Sequence, residues 1–416
     1  MAALRRSRWL RILGVAFVMY VLSYIDRVNI AMATPAMRSE LGLSGADIGF
    51  AIGFFFWGYI VLQIPAGRLA GVWSAKWTIL IQLVLWSGAA LSTAFVHTEG
   101  QLIANRFALG LSEGGVLTGT IVLIHAWFTR AERARANTMF LLSLAIAPVI
   151  ANPISGLVLA YFDWRDMFLV EALPALLWGL VWCWAVADRP ENARWLPAAE
   201  RDRLVAALEA ERTLAGTPRG HWIATLWHPA VLLLAVYNFG ALMAEWGVNF
   251  WLPSVLKETG LSIVTVGFLS AIPYVVGALM MILVAWRSDR VQERKWHMIT
   301  ATAASGAFLI LASLAPQGST AAILICLTLA VGAFLGRFGP FWTLPSEILP
   351  PAVAGVGIGL INGAGNLGGT VGPYFFGYVR TATGSFSLAL LVGGASLILG
   401  SLIAAPIRSR RVDATR

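Results

Sequence analysis

The stretch that decides the fold is Ile12–Ala33, ILGVAFVMYVLSYIDRVNIAMA. It is long enough to cross a bilayer, which takes roughly 20 mostly apolar residues in a helix. Yet Asp26 and Arg27 stand side by side within it, and Arg106 and Glu113 lie in another such stretch. An ionised side chain at a helix centre costs roughly 2.5–3.5 kcal/mol on insertion scales, so four facing lipid would cost on the order of 10 kcal/mol. They must therefore face a polar interior made by protein, where there is something to bind or carry.

Similar stretches recur along all 416 residues. The chain is 58% hydrophobic and 12% charged, against about 25% charged in a soluble domain. A membrane β-barrel is excluded, because its strands are short and alternate in polarity. The spans read as 12–33, 47–68, 77–96, 102–126, 137–160 and 167–187, then 228–252, 263–285, 298–315, 321–345, 354–378 and 387–406. The expected class is an all-α membrane protein of twelve transmembrane helices. Its domains are a six-helix bundle over 1–187, a cytoplasmic linker over 188–227, and a second bundle with a short basic tail over 228–416. Within the linker, Pro197–Arg212 reads as an amphipathic helix, since Pro197 suits a first turn and Leu204 and Leu208 share a face. Its expected place is the membrane surface.

The net charge of +9 could suggest a nucleic-acid partner. Its distribution argues otherwise. Of the 30 Lys and Arg residues, 23 fall on the N-terminal side of the membrane and 4 on the other, namely Arg38, Arg165, Lys257 and Arg380. That bias places both termini in the cytoplasm. Arg5, Arg6, Arg8 and Arg11 before an apolar run imitate a signal peptide, but the run continues past signal length, so it reads as a retained helix. Cys183 and Cys326 lie within apolar spans and imply neither a disulfide framework nor a metal site. No Walker-type loop points to direct use of ATP. No nucleophile or metal cluster beside an acid points to an enzyme. His125 reads as a solvated helix end.

An internal repeat is visible. Both halves carry a short, basic loop after their second span, Gly67–Lys76 (GRLAGVWSAK) and Ala285–Trp296 (AWRSDRVQERKW). Two six-span halves with matching segments suggest a pseudo-twofold transporter with its site between the halves at mid-membrane.

These segments resemble the Gly-x-x-x-Asp-Arg-x-Gly-x-Arg/Lys signature of the major facilitator superfamily. The second copy keeps Ser288-Asp289-Arg290 and Arg294-Lys295. The first has Gly71 and Val72 in the Asp-Arg places, which puts a charge latch there in doubt. Six further motifs resemble the anion:cation symporter family and its tartrate and phthalate branch. They are Ser23–Asn29 (SYIDRVN), Arg106–Gly114 (RFALGLSEG), Asn249–Pro253 (NFWLP) with Glu293–His297 (ERKWH), Gly339–Pro345 (GPFWTLP) and Asn362–Gly369 (NGAGNLGG). The resemblance implies proton-coupled import of an organic carboxylate: a dicarboxylate, a sugar acid or an aromatic acid. The alternatives are an anion exchanger or a drug-efflux carrier of the same fold. It implies no cofactor beyond the proton, a small organic anion as partner, no metal, and a monomer in a bacterial inner membrane. In the family the loop residues matching Asp289, Arg290 and Arg294 help hold one conformational state.

Arg27 offers a permanent charge and a planar fork of donors, which suits bidentate capture of a carboxylate. The other reading is that Asp26 or another acid neutralises it. Asp26 and Glu113 can hold a proton, and a substrate anion competing for the same arginine would release a carboxylate to protonate. The resemblance favours Glu113 as the proton carrier. Arg106 lies seven residues before Glu113, nearly on the same helix face and roughly 10 Å away along the axis. The two can line one cavity without touching. The resemblance places Tyr59 in the site; Tyr24 could position Asp26. The second half offers Asn249, Trp251, Trp342, Asn362 and Asn366 for hydroxyl or aromatic recognition, with Asn362 and Asn366 one turn apart. Among glycines, Asn366 suits helix packing more. Arg337 stands alone in the tenth span. Either it binds a second carboxylate or it pairs with Glu245.

Overall fold

In lipid every backbone N–H and C=O must be satisfied internally, and an α-helix does so within one segment. The computed structural model describes residues 7–215, 226–316, 319–349 and 351–407, and no strand occurs among them. The helices are α1 Trp9–Leu41, α2 Gly45–Val72, α3 Ala75–Phe95, α4 Glu99–Trp127, α5 Arg130–Tyr161 and α6 Trp164–Ala185. After them come α7 Ala198–Ala215, α8 Pro229–Lys257, α9 Ile263–Val291, α10 Lys295–Ser313 and α11 Thr320–Pro345. The last two are α12 Pro351–Thr383 and α13 Ser387–Ala404. Eleven are long and apolar enough to cross a membrane. The remaining expected span, 354–378, lies within α12, helical over 33 residues but diluted by glycine.

Most helices overrun the expected spans. The two repeated basic segments are mainly helix rather than loop, because α2 continues to Val72 and α9 to Val291. The turns differ. After α2 the chain is extended at Ser74, whose side chain accepts a hydrogen bond from the Trp77 N–H and caps α3. After α9 it turns through Gln292 at φ 51°, the one non-glycine residue with positive φ among the described residues.

The linker helix α7 departs from its expected place. Leu204 and Leu208 are 8% and 5% exposed, so protein rather than lipid covers its apolar face. Glu211 accepts from the Arg130 backbone N–H at 2.9 Å and pairs with Arg133 at 3.2 Å. Just before α7, Trp195 stacks on Trp127 with centroids 5.4 Å apart, and Arg11 lies over Trp195. Arg5, Arg6, Arg219 and the basic tail from 408 lie outside the described residues.

Contacts group the chain into two compact units. One comprises Met1–Arg27, Trp57–Ala147 and Phe162–Thr217; the other comprises Val28–Phe56, Pro148–Tyr161 and Pro218–Arg416. In the first, α3 packs against α4 and α6. In the second, α8 packs along α12 and α13, α9 against α11, and α10 against α13 and α11. The α8–α12 contact is backbone to backbone. A Cβ on Gly368 would strike the Phe239 carbonyl, and one on Gly372 the Met243 carbonyl. Small residues let helices approach this closely, and dispersion then holds them.

Candidate functional site

Neighbouring residues on a helix point about 100° apart, so Asp26 and Arg27 cannot share a partner face. The structure separates them. Arg27 reaches α4, where its Nε and Nη2 donate to the same oxygen, Glu113 Oε2, at 3.1 and 2.7 Å. Both residues are buried, Glu113 completely. Arg27 thus meets the acid of the other expected charge pair rather than its own neighbour. Glu113 Oε1 has no hydrogen-bond partner, and Ser23 lies beside the carboxylate.

Aromatic rings wall the guanidinium. Its carbon lies 5.3 Å from the Tyr24 centroid and 5.0 Å from that of Tyr59. The Tyr59 hydroxyl is in reach of both Arg27 and Tyr20. Tyr20 sits seven residues before Arg27, two turns back on the same face. The chain bends its helices around this point. Helix geometry is interrupted at Asn29 in α1 and at Gly114–Gly115 in α4. Gly114 lets α4 approach α2 beside Tyr59, since a Cβ there would strike the Tyr59 carbonyl.

Asp26 faces another set of groups. It is 1% exposed, and neither carboxylate oxygen has a hydrogen-bond partner. Trp86 lies beside it, outside strict hydrogen-bond geometry, and Glu113, Glu171 and Arg106 act on it electrostatically. Arg106 does not contact Glu113. Its Nη2 donates to Thr93 Oγ1 at 2.8 Å and, with Nε, to Asn105 Oδ1, while Asn105 bonds back to the Ala89 carbonyl. That network ties α3 to α4. Glu171 on α6 is buried as well. Sequence reading passed over both Glu171 and Tyr20. Glu171 carried the signal that singled out Glu113, an acid inside an apolar span.

The second unit holds the remaining candidates. Arg337 interrupts α11 between two helical pieces, Thr320–Gly336 and Phe338–Ile348. It is 1% exposed. Four rings surround its guanidinium: Phe334 at 4.2 Å, Phe341 at 4.9 Å, Phe338 at 5.2 Å and Tyr237 at 5.5 Å. One nitrogen reaches Asn238 Oδ1 at 3.5 Å, while Nε and Nη1 have no partner. Glu245 acts on it electrostatically, yet no ion pair within 4 Å joins them, so the direct pair, one of the two readings of Arg337, is absent among the described residues. Asn249 accepts from the Tyr274 hydroxyl at 2.8 Å. Trp251 donates to the Pro373 carbonyl, which gives it a packing role. Trp342 packs edge-on against Phe341. Asn362 is half-buried, and the buried Asn366 keeps its Nδ2 unpartnered. At the end of α9, Arg294 pairs with Asp289 at 2.5 Å and Glu347 at 3.3 Å, and Arg290 lies over Trp286.

Comparisons with known proteins place this architecture. A putative tartrate transporter of Agrobacterium vitis is 33% identical over 412 residues, covering 98% of this chain and 90% of that protein. A quinolone resistance transporter of Acinetobacter baumannii is 31% identical, covering 96% and 93%. Among solved structures, the inward-open xylose transporter of E. coli superposes with a TM-score of 0.81 over 97% of each chain, at 17% identity. The Major Facilitator Superfamily profile matches residues 16–373. The chain therefore belongs to the Major Facilitator Superfamily and is a multi-pass membrane transporter.

Proposed function

We propose that the protein imports an organic carboxylate together with protons by alternating access, in a bacterial inner membrane, as a monomer with both termini cytoplasmic. The observation that carries this reading is the buried Arg27–Glu113 pair, with Asp26 unpartnered nearby. A guanidinium edge holds one carboxylate at a time. A substrate carboxylate that takes the Nε and Nη2 edge displaces Glu113. The displaced acid is then a buried charge without a counterion, a costly state that proton uptake removes. Anion binding and proton binding thus promote each other. The tartrate-transporter relative makes tartrate the first substrate to test.

The decisive experiment is uptake into proteoliposomes with and without an inward-directed proton gradient. Gradient-driven accumulation is expected in the wild type and impaired in Glu113→Gln, which retains exchange of labelled for unlabelled substrate. Equal uptake with and without the gradient would overturn the reading. A second reading, outward movement of a drug, has the Acinetobacter baumannii relative in its favour. It predicts quinolone export, rather than carboxylate import, from cells expressing the protein.

A further inference from the structure

The tartrate reading gives the second unit no part in handling protons. Two of its groups stand out. Arg337 is a fully buried cation with two nitrogens lacking hydrogen-bond partners. Glu245, near the middle of α8, forms no hydrogen bond and no ion pair among the described residues. The acid lines a small cavity with Asn249, Tyr274, Ser305 and Phe334. Its volume is about 20 Å³, room for about one water molecule. Phe334 is shared, since it lines this cavity and also lies under the Arg337 guanidinium at 4.2 Å.

Arg337 is buried in the protein interior without an ion pair among the described residues, and the half-buried Glu245 is the acid that acts on it. Coulomb attraction at short range there is far stronger than in water, and an unpaired buried charge costs several kcal/mol. Closing onto the arginine would lower that cost, and while it stands apart the acid can hold a proton. Charged and titratable groups that face Glu245 from the packed helices are few. Arg337 comes from α11 and Tyr274 from α9, while α10 and α13 contribute Ser305, Leu309 and Leu397.

We propose that Glu245 is a second proton-binding site of the transporter, protonated while it stands apart from Arg337 and deprotonated when the two pair in another state of the cycle. The inference rests on the proton-coupled reading above for its meaning in transport, but its chemistry is measurable without substrate. Binding adds one proton to a Glu245 carboxylate oxygen, and closure onto Arg337 returns it to water. The cavity polar groups Asn249 and Tyr274 stand where a water could carry it.

The test has two arms. In the first, infrared spectra of the purified protein in liposomes are recorded across pH without substrate, for the wild type and Glu245→Gln. A protonated carboxylic-acid C=O band present near neutral pH in the wild type and missing in the variant is expected. A wild-type-minus-variant difference spectrum without such a band overturns the proposal, whatever band Asp26 and the other buried acids give in both. In the second arm, tartrate is the probe and the number of protons entering per tartrate is counted. Glu245→Gln is expected to lower that number by one, with Glu245→Asp restoring it. An unchanged ratio overturns the proposal. If the wild type moves no protons with tartrate, the functional reading fails instead, and the infrared arm still decides whether Glu245 carries a proton.

Discussion

At the residue scale, the geometry of one guanidinium sets the behaviour of the site. Arg27 presents its Nε and Nη2 edge to a single oxygen of Glu113, the same edge that a substrate carboxylate needs. Lysine keeps the charge and loses the fork. Arg27→Lys is therefore expected to weaken carboxylate binding by about 1.5–3 kcal/mol, the worth of a hydrogen bond to a charged group. That is roughly 10–150-fold in affinity, read by isothermal titration or by the concentration dependence of exchange. Unaltered affinity would remove Arg27 from the binding role. The charges themselves were legible in the sequence because lipid makes them conspicuous. Their partners were not. Asp26 and Arg27 are adjacent, yet they face different neighbours. Arg106 and Glu113 share a face of α4, yet Arg106 bonds to Thr93 and Asn105. Pairing across helices depends on how helices rotate against one another, and no spacing within one segment encodes that rotation.

At the element scale, twelve long helices were legible because an apolar run of about 20 residues has one stable form in a bilayer. Their ends were less so. The basic residues after the second and eighth spans read as loops, but Arg and Lys are good helix formers, and α2 extends through Arg68 and α9 through Arg287 and Arg290. What ends α9 is Gln292, at φ 51°. A side chain in the left-handed region costs roughly 1–2 kcal/mol, and glycine carries no such penalty. Gln292→Gly is expected to raise the melting temperature of the purified protein modestly while leaving Arg294 paired with Asp289 and Glu347. A lower melting temperature would show that the Gln292 side chain, which donates to the Asp289 carbonyl, outweighs the backbone strain. At Gly114 the opposite outcome is expected. An added methyl would meet the Tyr59 carbonyl and part α4 from α2. Overpacking of this kind costs about 1–3 kcal/mol, and here it also moves Glu113 and Tyr59 off Arg27. Gly114→Ala should thus lower both thermal stability and uptake. At Gly71, also in α2, a methyl would meet nothing within 4 Å, so the same change there should leave stability intact or raise it slightly.

At the scale of the whole molecule, proton number and substrate charge together decide which force drives transport. Glu113 and the proposed Glu245 site would bring in two protons per cycle. A dianion then crosses with no net charge, and a monoanion crosses with one net positive charge. The membrane potential contributes about 2.3 kcal/mol per charge per 100 mV, enough for roughly 50-fold accumulation of the charged complex. Clamping the potential with potassium and valinomycin in proteoliposomes separates the cases. With two protons, tartrate accumulation is expected to be indifferent to an inside-negative potential, and accumulation of a transported monocarboxylate to rise with it. Removing one carrier inverts the pattern. In Glu245→Gln the dianion would cross with one net negative charge, so the same potential should oppose its entry while the monoanion becomes indifferent. Tartrate uptake in that variant that still ignores the potential would mean that its proton count, and with it the division of proton handling between the two acids, is wrong.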